Sequence, residues 1–122
     1  MPVAILLIEN HDLSRRNMAA YLESFGYSVT ETGDAEEAIK LIQDIKYDVV
    51  ITDLQLESMV NGLDILAHHK KASPEAKGIL MTAFGSTEAK EQAALLNATY
   101  LEKPIQLSHL VALLNPAPQV ES

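Results

Sequence analysis

Val49-Val50-Ile51-Thr52-Asp53-Leu54 decides the fold. From Val49 to Thr52 no charged residue alternates with the apolar ones, the pattern of a strand covered on both faces, and a carboxylate follows at its end. Working outward, Val3 to Ile8 and Ile79 to Thr82 have the same unalternated character. The three runs read as inner strands of a parallel sheet. Tyr27 to Thr30 and Thr99 to Glu102 carry the β-branched and aromatic residues of sheet but are more polar, which suits outer positions.

Between the runs lie segments with helical spacing: Met18, Leu22 and Phe25; Ala35, Ala38, Ile39 and Ile42; Leu63, Leu66 and Ala67; Ala89, Ala93 and Leu96; Leu107, Leu110, Val111 and Leu114. Asp12, Asp34, Ser86 and Ser108 stand where N-caps or first-turn residues belong, Gly26 supplies a stop, and Ser73-Pro74 closes the third helix. Strand and helix therefore alternate five times, which predicts a single α/β domain over residues 1–114 with right-handed crossovers. Asn115 to Ser122 holds two prolines and no apolar period, and reads as a tail or linker.

The composition narrows function. The 122 residues are 48% hydrophobic and 21% charged, as in ordinary globular domains. Nine Lys plus Arg face seventeen Asp plus Glu, a formal charge of -8, which argues against broad binding to nucleic acid or an anionic membrane surface. A protein partner is expected. There is no Cys, so thiol chemistry and cysteine-ligated metals are excluded, and a reducing cytoplasm fits. The apolar start is short, is broken by Glu9 and follows no basic segment, unlike a signal peptide or membrane span.

In such folds ligands sit beyond the carboxyl ends of the strands. Those ends carry Glu9 and Asn10, then Asp53, then Thr82 and Ala83, then Lys103-Pro104. Convergence would set a carboxylate beside an ammonium, a hydroxyl and a second carboxylate, a constellation suited to phosphoryl chemistry. With VAILLIEN, VVITDL, ILMTAFG and YLEKP in this order, the chain resembles the receiver domains of two-component response regulators over nearly its full length.

The resemblance implies a doubly wound, flavodoxin-like (βα)5 domain with a parallel sheet in the order 2-1-3-4-5. It implies that Asp53 is the phosphoacceptor, attacking a donor phosphohistidine, and that Mg²⁺ is held by Glu9, Asn10, Asp53 and the backbone carbonyl of Gln55. Lys103 would pair with the phosphoryl oxygens, and Thr82 and the Ala83 N–H would bind them on arrival. Tyr100 would fill the space Thr82 leaves, altering the face formed by the fourth helix, fifth strand and fifth helix. A cis Lys103-Pro104 bond would aim the lysine. The implied partners are a sensor histidine kinase or phosphotransfer protein, and an output domain or a second copy at that face. Catalysis would be limited to the domain's own phosphorylation and dephosphorylation.

The chain departs from the family pattern at Asn10, where a second acid usually ligates the metal. An amide oxygen is a poorer partner for a hard cation, so weaker Mg²⁺ binding is expected. The loop from Leu54 to Gly62 lacks the usual proline and is one residue longer, with Glu57 read as solvent-facing. Asn10 also motivates the alternative of a degenerate receiver that binds partners or dimerises without phosphate. A flavin carrier is disfavoured because no Gly-, Ser- and Thr-rich loop follows the first strand, and an aspartyl phosphatase because Gln55 stands where its second acid belongs. Of four histidines, His68 and His69 cannot share a helix face, and His11 reads as a surface residue beside the pocket.

Overall fold

The computed structural model describes residues 3–114. The tail expected from Asn115 onward lies outside them. The elements alternate as β1 (Ala4–Ile8), α1 (Asp12–Glu23), β2 (Ser28–Thr32), α2 (Ala35–Asp44), β3 (Val49–Asp53), α3 (Gly62–Ala72), β4 (Lys77–Thr82), α4 (Thr87–Leu95), β5 (Thr99–Glu102) and α5 (Leu107–Leu114). The strands form one parallel sheet in the order β2-β1-β3-β4-β5. The more polar β2 and β5 are the edges, as their composition predicts.

Because successive strand residues point to opposite faces, the unalternated runs feed two cores at once. Ile5, Leu7, Val49, Ile51, Ile79 and Met81 face α1 and α5, meeting Met18, Leu22 and Leu110. Leu6, Ile8, Val50 and Leu80 face α2, α3 and α4, meeting Ala38, Ile42, Ile65 and Ala93. Each fully buried Leu or Ile contributes about 1.5–3 kcal/mol from leaving water. The central strands are thereby clamped from both sides, and their carboxyl ends inherit that rigidity.

Local signals set the boundaries. Helix α1 is capped by His11, whose Nδ1 accepts the Ser14 N–H at 3.4 Å, so Asp12 is its first residue. Its apolar stripe stops short of Phe25: the helix ends at Glu23, Gly26 turns the chain at φ 92°, and Phe25 is left 55% exposed beside Tyr21. Leu96 is likewise the C-cap of α4 rather than a residue of its body. Helix α3 opens on a capping box in which Asn61 and Asp64 each bond the other's backbone N–H, and it ends before Pro74 with Ser73 as its C-cap. Its two histidines diverge: His68 is exposed, and His69 is buried with Nε2 3.1 Å from the Tyr47 carbonyl.

Candidate functional site

Asp53 closes β3 and is 4% exposed. Its main chain is gripped from below by α3, where Gly62 donates its N–H to Leu54 O at 2.8 Å. A Cβ on Gly62 would overlap the Asp53 carbonyl oxygen, so only glycine allows this approach. Glu9 follows β1 and is 1% exposed, its N–H bonded to the Thr32 carbonyl at 3.2 Å. Lys103 follows β5 across a cis bond to Pro104, and its N–H donates to Thr82 O at 2.8 Å.

The three ends converge. Lys103 Nζ donates to Glu9 Oε1 at 2.7 Å and stands 2.8 Å from Asp53 Oδ1. The second contact is an ion pair without hydrogen-bond alignment, so Asp53 Oδ1 is buried with no hydrogen-bond partner. The other Glu9 oxygen, Oε2, accepts the His11 N–H at 3.0 Å.

One ammonium thus faces two carboxylates in a confined space. Burial, then the Glu9 carboxylate beside it, pushes the Asp53 pKa up to about 7, against the pull of Lys103. Burial also works to raise Glu9, but the neighbouring Asp53 carboxyl and the hydrogen bonds from Lys103 and the His11 N–H outweigh burial and hold it low. Lys103 loses hydration on burial, yet the two acids keep its pKa above the usual lysine value. The pocket holds one ionised carboxylate easily, its charge balanced by Lys103, and a second one at a cost.

Asn10, Asp53, Gln55, Thr82, Ala83 and Lys103 line a cavity of about 210 Å³. Thr82 is buried, and its Oγ1 accepts the Phe84 N–H at 3.1 Å; a hydroxyl that accepts in this way can still donate to a second partner. Tyr100 does not line the cavity. Its hydroxyl lies over Gly85, 3.5 Å from Glu102 Oε2, and its ring packs on the α2, α3 and α4 side of the sheet. Glu57 is exposed.

Among the described residues no three His, Cys, Asp or Glu side chains group as a metal cage. The donors around the cavity are nonetheless hard oxygens, and Asp53 Oδ1, ion-paired with Lys103 but without a hydrogen bond, still has lone pairs to offer a cation. With Glu9 taken up by Lys103 and the His11 N–H, the set fits a divalent ion that keeps several waters. Sequence reasoning passed over Arg15, whose Nη1 donates to the Glu9 carbonyl at 3.0 Å. Its only signal in the chain is an arginine in the first turn of a helix.

Residues 5–115 match the family model for the response regulator receiver domain. The chain belongs to this family. The receiver domain is 30% identical over 112 residues to the two-component response regulator PhoP of Pseudomonas aeruginosa, covering 91% of this chain and 49% of that protein. To a cyclic di-GMP phosphodiesterase of Thermotoga maritima it is 28% identical over 109 residues, 88% of this chain and 29% of the relative. The chain thus spans less than half of either relative. A response regulator of Burkholderia pseudomallei, whose crystal structure holds a phosphorylated aspartic acid, a calcium ion and citrate, superposes with a TM-score of 0.84 at 28% identity, over 93% of this chain and 67% of that one. A CheY-like receiver domain of Methanospirillum hungatei shares the fold at a TM-score of 0.88 and 23% identity, over 93% and 91% of the two chains. No helix among the described residues is long and apolar enough to cross a membrane.

Proposed function

We propose that this receiver domain accepts a phosphoryl group on Asp53 from a sensor histidine kinase or phosphotransfer protein, and signals through the face formed by α4, β5 and α5. The observation that carries this reading is the contact between the Lys103 ammonium and the Asp53 carboxylate at 2.8 Å in a cavity open to a donor. An Asp53 carboxylate oxygen attacks phosphorus, the phosphorus–nitrogen bond of the phosphohistidine breaks, and the imidazole leaves with the bonding pair. The product is an acyl phosphate.

Lys103 favours the ionised nucleophile and then pairs with the added charge. Mg²⁺, when bound, screens the repulsion between the two anions; Asn10, Asp53 and the Gln55 carbonyl would hold it, with Glu9 behind them. Thr82 turns its hydroxyl to the phosphoryl oxygens and loosens its hold on the Phe84 N–H, and the Ala83 N–H assists. Release of Phe84 shifts the loop beneath the Tyr100 hydroxyl, which links the site to the output face. An output domain or a second copy would read that face. The chain's own chemistry is confined to gaining and losing this group, and a cytoplasmic setting suits a cysteine-free signalling domain.

Asn10 favours one second reading, a partner-binding module that works without phosphate. Incubation with acetyl phosphate or phosphoramidate plus Mg²⁺, followed by intact mass, separates the two. A labile single adduct that disappears in Asp53→Ala supports the switch, and its absence supports the module.

A further inference from the structure

Arg15 projects from the first turn of α1 and is 12% exposed along its side chain, low for an arginine on a helix exterior. Three oxygens from three segments hold its guanidinium. Nη1 donates to the Glu9 carbonyl at 3.0 Å and stands 2.9 Å from Asp12 Oδ1, and Nε donates to Glu31 Oε1 at 3.0 Å. The head has room there because residue 33 has no side chain: a Cβ on Gly33 would sit 2.9 Å from Nη1 and 3.3 Å from the Glu9 carbonyl oxygen. The end of β1, the start of α1 and the end of β2 are thereby tied around one planar, permanently charged group.

The peptide it grips is the one joining Glu9 to Asn10. From that peptide one side chain reaches Lys103 and the next lines the cavity beside Asp53. We infer that Arg15 is a positioning residue of the phosphoacceptor pocket, fixing the turn between β1 and α1 so that Glu9 and Asn10 face Asp53 and setting the affinity of the site for a divalent cation. The inference rests on the metal-assisted reading of the pocket given above. It matters more here than in a chain with two acids at the turn, since a neutral amide oxygen must be well aimed to ligate at all.

The test uses Arg15→Gln, Arg15→Lys, Gly33→Ala and the Arg15→Gln/Gly33→Ala double variant. Mg²⁺ is titrated by calorimetry, with circular dichroism and thermal unfolding confirming a folded domain. Arg15→Gln and Gly33→Ala should each weaken Mg²⁺ binding roughly tenfold, as loss of groups behind a metal ligand does. The double variant should be no weaker than either single one, because both act through one clasp. Arg15→Lys should recover part of the loss by reaching one of the three oxygens. Should Arg15→Gln not fold, Gly33→Ala decides alone: weakened binding supports the inference and wild-type binding overturns it. Unchanged affinity in folded variants, additive losses, or an unaltered chain that binds no Mg²⁺ overturns it as well. Mg²⁺ binding with this pattern but no phosphoryl uptake would defeat the proposed function and leave the role of Arg15 standing.

Discussion

Glu9 and Lys103, 94 positions apart in the chain, meet at 2.7 Å between Oε1 and Nζ. Because the same ammonium lies 2.8 Å from Asp53, one positive charge serves two buried acids. The outer carboxyl, Asp53, is left with the harder task of ionising, and it is the one exposed to the cavity. A site arranged in this way is strained by its own charge and relieved by a cation.

The first consequence concerns stability. The Asp53 pKa is raised from 3.8 to about 7, so folding favours its protonated form; that stabilisation is complete below pH 3.8 and is lost as pH rises through 7. Asp53→Asn, neutral throughout, should therefore gain on the unaltered chain between pH 4 and pH 8, by on the order of 4 kcal/mol in metal-free buffer. Urea unfolding at the two pH values measures it, and a difference that does not grow with pH would contradict the account.

Asn10→Asp restores a carboxylate to the cavity wall. Mg²⁺ binding should tighten roughly tenfold and phosphorylation by acetyl phosphate should speed up. Calorimetry and intact mass read the two effects, and no change in either would show that Asn10 is not a ligand.

His69 gives a second pH dependence, away from the site. Burial holds its pKa below the usual 6.5, opposed by its bond to the Tyr47 carbonyl. A base with a lowered folded pKa stabilises fully above 6.5 and loses that contribution as pH falls through the folded value. The unaltered chain should lose more stability than His69→Gln between pH 7 and pH 5, measured by denaturant unfolding.

Gly62→Ala tests the grip on the acceptor from below. The new methyl overlaps the Asp53 carbonyl oxygen, so α3 or the end of β3 must shift. The cost should be about 1–3 kcal/mol, with slower phosphoryl uptake in the same protein. Wild-type stability and rate together would show that the close approach is dispensable.

What the sequence displayed and what it hid follow from the range of each interaction. Val49 to Thr52 and Ile79 to Thr82 announced buried strands because burial on both faces writes itself into consecutive residues. The strand order and the meeting of Glu9, Asp53 and Lys103 were legible only through the likeness of four motifs to a family, since no local pattern encodes a contact 94 positions apart. Phe25 was misplaced because an apolar spacing runs on past Glu23, where the helix ends ahead of the turn at Gly26. Asn61 with Asp64 was a readable capping pattern hidden inside an unusually long loop. Arg15 showed only as an arginine in the first turn of a helix, its role being fixed by oxygens that only the folded turn assembles.

The most direct test of the central claim is chemical. After exposure to phosphoramidate and Mg²⁺, borohydride reduces an acyl phosphate to the alcohol, turning a phosphorylated aspartate into homoserine, and peptide sequencing by mass spectrometry then locates it. Homoserine is expected at position 53 and nowhere else. Reduction at Glu9 or another acid, or none at all in a folded, Mg²⁺-loaded protein, would contradict it.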